Sequence, residues 1–166
     1  MSVQIKSVGV IGAGQMGGGI AHVCAMAGYD VHVHDVSSEN LQTMQANISG
    51  NLARQVSSGK ATDAERDAAL SRIHLATEMS DLAGMDMVIE AATEDETVKR
   101  KIYQQLCPIL NPEAILATNT SSLSITRLAA ATDRAERFIG IHFMNPVPVM
   151  KLVELVRGIA TEEETF

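Results

Sequence analysis

Three side chains late in the sequence have the types and spacing to do acid–base chemistry. They are His142, Asn145 and Glu154, in the run His142-Phe-Met-Asn145-Pro-Val-Pro-Val-Met-Lys-Leu-Val-Glu154. An imidazole, a carboxamide and a carboxylate surround a proline-punctuated turn. With Pro148 at the centre of that turn, antiparallel partners have numbers summing to 296, and His142 faces Glu154. Directly opposed residues have Cβ atoms only ~5 Å apart. A carboxylate there can hold one imidazole nitrogen and orient the ring. The other nitrogen is left to exchange a proton with a substrate hydroxyl. Beside a nicotinamide, such a base is the minimum equipment for interconverting an alcohol and a ketone. A His–Glu pair in isolation reads rather as a core histidine satisfied by a neighbouring acid. The chemical reading rests on its place after a strand of a dinucleotide-binding sheet, where ligands collect.

The dinucleotide is read from the front of the chain, Val8-Gly-Val-Ile-Gly12-Ala13-Gly14-Gln15-Met16-Gly17. A GxGxxG run means little alone. Here it follows an apolar strand, opens a helix, and is followed by Asp35, 18 residues beyond Gly17. Gly12 permits the tight turn, Gly14 lets a pyrophosphate approach the backbone, and Gly17 lets helix and strand pack closely. The helix N-terminus then faces the pyrophosphate. Asp35 sits where a carboxylate binds the adenosine ribose, and it would repel a 2′-phosphate. No Arg or Lys follows it directly, so the expected cofactor is NAD rather than NADP. The competing reading is a loop that serves packing alone, with Asp35 capping a helix.

These groups need elements to position them. The apolar runs predict strands at 5–11, 30–34, 73–76, 86–89, 114–117, 137–143 and 151–156, with helices between. The first helix carries Met16, Ile20, Val23, Cys24 and Ala27 at helical spacing and ends at Gly28. Ser37 or Ser38 can cap the next. Residues 39–72 read as two helices broken at Gly59-Lys60, an excursion from the sheet. Further helices are expected at 96–106 and 123–130. Alternating strands and helices mean a Rossmann-type, doubly wound α/β fold. Its sheet is mainly parallel, with an antiparallel final strand. The 119–122 run, Asn119-Thr-Ser121-Ser122, places hydroxyl and amide groups at the carboxyl rim of the sheet, and Ser121 or Ser122 could also cap a helix there. Thr161-Glu-Glu-Glu164 has the form of a capping box. A helix starting so near Phe166 suggests a first domain, residues 1–166, of something longer. His22, His32, His34 and His74 lie outside these motifs and are read as structural or solvent-facing.

With 166 residues the chain fits one domain, and 46% hydrophobic against 20% charged residues is ordinary for a globular protein. No Trp, two Tyr and three Phe mean an aliphatic core. A formal charge of −7 without a Lys/Arg run argues against nucleic acid. No apolar stretch approaches the ~18 residues of a membrane span, and no signal peptide is evident. Cys24 and Cys107 have no metal-like or CxxC spacing and read as free thiols of a cytoplasmic protein.

Taken together, the glycine run through Gly19-Ile-Ala, the Asn119-Thr-Ser-Ser-Leu run and the His142 motif resemble the 3-hydroxyacyl-CoA dehydrogenase family. The likeness spans essentially the whole chain and is nearest to its 3-hydroxybutyryl-CoA members. It implies NAD-dependent oxidation of (S)-3-hydroxyacyl-CoA to 3-oxoacyl-CoA and the reverse, chemistry of the kind used in fatty-acid β-oxidation. It makes His142 the general acid/base and Glu154 its partner. It also implies that Ser121 and Asn145 contact the nicotinamide and the reacting end of an acyl-CoA substrate. Glu94 and Lys99 match family positions that contact NAD; by residue type alone, Glu94, Glu96 and Lys99 read as a solvated helix start. Two departures stand out. Met144 replaces a second Phe after the histidine, and 39–72 lacks the Ser and Lys pattern some relatives use for coenzyme A, leaving Arg54 and Lys60 as candidates. The resemblance also implies a second, helical domain that completes the substrate cleft and makes a homodimer. Two other readings compete: a 3-hydroxyacid- or phosphogluconate-type dehydrogenase, against which the His142–Glu154 hairpin argues, and a free-standing NAD-binding module.

Overall fold

A computed structural model describes residues 3–166. Among these residues seven strands form one sheet in the order β3-β2-β1-β4-β5-β6-β7. They are β1 (Ser7–Ile11), β2 (Asp30–His34), β3 (Ile73–Ala76), β4 (Met87–Glu90), β5 (Ile115–Thr118), β6 (Phe138–Phe143) and β7 (Val153–Arg157). The first six pair in parallel, and β7 runs antiparallel to β6. The expected doubly wound α/β fold is therefore present. The chain moves outward from β1 to β3, then returns to β4 on the other side of β1. That reversal opens a crevice at the carboxyl ends of β1 and β4, where open α/β sheets bind ligands.

Among the described residues five α-helices cover the faces: α1 (Gln15–Met26), α2 (Ser38–Ser57), α3 (Asp63–Ser71), α4 (Glu96–Leu106) and α5 (Ile125–Ala129). On one face Val8, Val10, Val31 and Val33 pack with Ile20 of α1 and with α2. The α2 helix contributes Leu41, Met44, Ile48 and Leu52, a stripe at helical spacing with every member buried. Each such side chain removed from water contributes about 1.5–3 kcal/mol. On the other face Tyr103 and Leu106 of α4 and Leu128 of α5 pack with Leu116 and Phe138. The excursion is thus two helices, as expected, and Gly59 between them has φ +74°. The Ser37 side chain caps α2, and Thr62 with Glu65 forms a capping box at the start of α3.

One expected helix start is absent and another has a different cap. Residues 161–166 contain a turn at 163–165 and no helix, and the Thr161 hydroxyl is already engaged. It accepts from Gly158 N and donates to Phe138 O, which anchors the segment to β6. The cap of α5 is Ser124, accepting from Arg127 N, rather than Ser121 or Ser122. Cys24 and Cys107 are free, and burial pushes the Cys24 thiol up to about 11. Among the described residues no helix is long and apolar enough to cross a membrane.

Candidate active site

The β6–β7 hairpin has the register inferred from Pro148. Ile139 pairs with Arg157, His142 with Glu154 and Phe143 with Val153. His142 Nδ1 lies 2.8 Å from Glu154 Oε2. An ionised carboxylate only accepts, so Nδ1 donates, and in the neutral ring Nε2 carries the lone pair. Among the described residues Nε2 has no partner. The pair is accessible: the His142 side chain is 23% exposed and that of Glu154 52%. This is an imidazole held by one nitrogen and open at the other.

The loop after β5 is tied to this hairpin. Asn119 is buried, and its Oδ1 accepts from Phe143 N at 3.0 Å, one residue past His142. Asn119 N donates to Glu90 O at the end of β4. Glu94 holds the next two residues, accepting from Thr120 Oγ1 at 2.7 Å and from Ser121 N at 3.3 Å. The Ser121 hydroxyl remains exposed and unpaired among the described residues. Asn145 is likewise exposed, on the turn that follows β6.

Lys99 departs from the expected solvated helix start, and it offers no surface to a cofactor. It is fully buried, with Nζ 2.6 Å from Glu90 Oε1, 3.0 Å from Thr118 Oγ1 and 3.3 Å from Asn119 O. Glu90 also accepts from Tyr103 OH, Thr118 Oγ1 and Ala92 N. Burial, and then the Glu90 charge, push the Tyr103 phenol up, so that it serves as a donor. Helical spacing carried a signal here: Lys99, Tyr103 and Leu106 form the buried stripe of α4. Lys99 thus holds the floor under the 119–121 loop. Glu96 does behave as a solvent-side residue, pairing with Arg100 and Arg127.

At the front of the sheet, Gly12 has φ +104°, and a Cβ there would meet Ala91 O at 2.7 Å. A Cβ on Gly17 would stand 1.8 Å from Gly12 O, so helix and loop touch backbone to backbone. Gly14 differs, because its Cβ would meet nothing within 4 Å. That is room above the first turn of α1. The turn has no side-chain cap and no acidic residue, whereas Ser37, Thr62, Asp95 and Ser124 cap the other four α-helices. Free amides at Gln15, Met16 and Gly17, with the helix dipole behind them, suit an anion. Asp35 does not cap α2. Its Oδ2 accepts from Ala13 N and its Oδ1 from Ser37 N, both at 2.8 Å, which locks the carboxylate beside the glycine turn. The residues present fit a dinucleotide, with its pyrophosphate over Gly14 and a ribose at Asp35.

A cleft of about 560 Å³ continues from Gly14 and Gln15 between α1, α2 and Asn145–Pro148. Carboxamides line its α2 side, at Asn40, Asn47 and Asn51. Arg54 hydrogen-bonds Asn51, but neither it nor Lys60 lines the cleft. The opposite wall approaches closely, since a Cβ on Gly19 would stand 2.7 Å from Val147 Cβ. His22 at the base is buried, which pushes its pKa down against a hydrogen bond from Gln55.

The family described as "3-hydroxyacyl-CoA dehydrogenase, NAD binding domain" matches residues 7–166. A 3-hydroxybutyryl-CoA dehydrogenase of Bradyrhizobium diazoefficiens is 64% identical over 166 residues, all of this chain and 57% of that protein. A 3-hydroxybutyryl-CoA dehydrogenase of Mycobacterium tuberculosis is 48% identical over 98% of this chain and 57% of its own length. The crystal structure of (S)-3-hydroxybutyryl-CoA dehydrogenase from Ralstonia eutropha superposes with a TM-score of 0.95 at 49% identity, covering 98% of this chain and 57% of that one. The chain thus spans a little over half the length of the relatives it matches. On that match and these identities, this chain belongs to the 3-hydroxyacyl-CoA dehydrogenase family, as its NAD-binding domain.

Proposed function

We propose that this domain serves the NAD-dependent interconversion of (S)-3-hydroxyacyl-CoA and 3-oxoacyl-CoA. The observation that carries the reading is the His142 ring, tied to Glu154 at Nδ1 and open at Nε2. Bound NAD supplies the hydride acceptor. Nε2 takes the proton of the 3-hydroxyl as the C3 hydride departs, and Glu154 stabilises the imidazolium that forms. In reverse, the same Nε2–H protonates the alkoxide that develops on a 3-oxoacyl thioester. Ser121 and Asn145 present their polar groups to the thioester end and the nicotinamide. Asp35 and the 12–17 turn hold the adenosine and pyrophosphate, and Glu94 and Lys99 fix the loop that carries Ser121. The amide-lined cleft beside α2 suits the polar chain of an acyl-CoA. In the whole enzyme a further helical domain would close this cleft and carry the homodimer contact. The setting we propose is the cytoplasm, where Cys24 and Cys107 stay reduced.

The test is loss of NADH absorbance with acetoacetyl-CoA as substrate, for the full-length enzyme and its His142→Gln variant. Turnover should collapse in the variant while NADH still binds. A variant that turns over at the parent rate would remove His142 from the chemistry.

A further inference from the structure

The cofactor crevice lies at the carboxyl ends of the strands, and the histidine hairpin at one edge of the sheet. A separate group of side chains sits at the opposite edge. His32 of β2 and His74 of β3 are register partners. Asp30 lies two residues before His32, hence on the same face of the sheet. The intervening Val31 is buried in the core on the other face. Asp30 Oδ1 is 2.8 Å from His74 Nε2, and Asp30 Oδ2 is 3.2 Å from His32 Nε2. The two rings stand with centroids 4.7 Å apart, both turning Nε2 toward the one carboxylate. All three donor atoms lie within 4.8 Å of one another.

We propose that Asp30, His32 and His74 form a binding site for a divalent transition-metal ion, with Zn2+ the best match, that clips edge strand β3 to β2. Two imidazole nitrogens and one carboxylate oxygen form a borderline donor set, which selects Zn2+, Co2+ or Ni2+ over Mg2+ or Ca2+. Ligand bonds of about 2.1 Å in a tetrahedron place donor atoms about 3.4 Å apart. The two Asp30–His separations, 2.8 and 3.2 Å, fall just short of that value, and all three atoms lie within 4.8 Å, so small rotations of three surface side chains suffice. The backbone needs no movement, because the ligands stand on paired strands. The site is reachable from solvent, with side-chain exposures of 25% for His32, 46% for His74 and 49% for Asp30. A fourth position stays open to water.

The consequence is structural. Asp30 and His74 are 44 residues apart, and α2 and α3 lie between them. A metal joining them closes that whole excursion, and cross-links that close long loops restrict the unfolded chain most. The site is four strand spacings from β6, about 19 Å across the sheet. Asp35, the ribose residue of the proposed function, follows the other end of β2, three residues past His32 and about 10 Å along the strand. Metal binding should therefore raise stability and leave both His142 and cofactor binding alone.

The experiment is calorimetric titration of chelator-treated protein with ZnCl2, alongside thermal melts with and without the ion. The parent should take up one Zn2+ per chain and melt at a higher temperature with it. His74→Gln and His32→Gln should each weaken binding at least tenfold, and the double variant should lose both the binding and the thermal shift. NADH affinity should be equal in all of them, which also reports that each variant is folded. His142→Gln, at the far edge, should bind Zn2+ as the parent does. Absence of Zn2+ uptake by the parent overturns the proposal, and so does a double variant that binds as the parent does.

Discussion

Glu90 and Glu154 each hold a nitrogen base at hydrogen-bond distance, 2.6 Å to Lys99 and 2.8 Å to His142. Their surroundings differ in every other respect. Glu90 and Lys99 are fully buried, and every partner they take is protein: Tyr103, Thr118, Ala92 and Asn119. Glu154 stands on an edge strand, half exposed, and His142 keeps one nitrogen free. A saturated pair can only hold its neighbours in place. An unsaturated pair has a lone pair left to react. The two are joined through Asn119, which takes Lys99 at its carbonyl and Phe143 N at its side chain. On the proposed mechanism the molecule thus separates the charge that positions from the charge that reacts.

The largest effect that would sharpen this contrast is on rate. In the full-length enzyme His142→Gln should lower turnover about 10²–10⁴-fold, the range for one general acid/base. The melting temperature should hardly move. A large loss of stability would mean that His142 is a packing residue after all. Lys99→Met should do the reverse and cost about 3–5 kcal/mol in urea unfolding, because the Glu90 carboxylate loses its ion-pair partner in the core. Adding Glu90→Gln to Lys99→Met should recover much of that loss. Equal stability of parent and Lys99→Met would break the comparison. Glu154→Gln should slow turnover roughly tenfold to a hundredfold, since hydrogen bonds to charged groups contribute about 1.5–3 kcal/mol. Its stability should change by under about 1 kcal/mol, as for exposed pairs generally.

The smallest effect concerns a third acid, intermediate between the two. Asp86 sits near the surface, yet it accepts from Lys6 N, Ser7 N and Ser7 Oγ. The Lys6 amide leads in lowering its pKa, burial opposes, and the Ser7 bonds add to the lowering. A carboxyl depressed in the folded state stabilises above its unfolded value of about 3.9, and that contribution fades as pH falls through the folded value. Acid unfolding of Asp86→Asn should therefore show a shallower dependence on pH below about 4. An identical acid profile would mean that the three bonds contribute nothing.

How legible these features were in the sequence follows from how local their causes are. The hairpin register came from one proline and the rule of antiparallel pairing. The glycine turn came from strand, turn, helix and acid in fixed order. Both depend on near neighbours in the chain. By residue type alone Lys99 reads as solvated, because its burial depends on Glu90 and Thr118, which no local pattern announces. A lysine on an apolar helical stripe was nonetheless a clue. The cap at Ser124 is not legible locally because four hydroxyl residues stand in the 120–124 run, and tertiary contacts decide among them. Thr161 fitted a helix start, but its hydroxyl was claimed by Phe138, 23 residues earlier.

The strand order has a further consequence, felt while the chain is being made. β1 lies in the middle of the sheet, and one of its edges waits for β4, with Val8 pairing to Met87. Those partners are 79 residues apart. At about 5–20 residues per second, synthesis leaves that edge bare for roughly 4–16 s. The bare edge is Val8-Gly-Val-Ile, apolar and uncharged. The nascent protein therefore passes through an interval in which a strand destined for the core presents a bare, apolar edge.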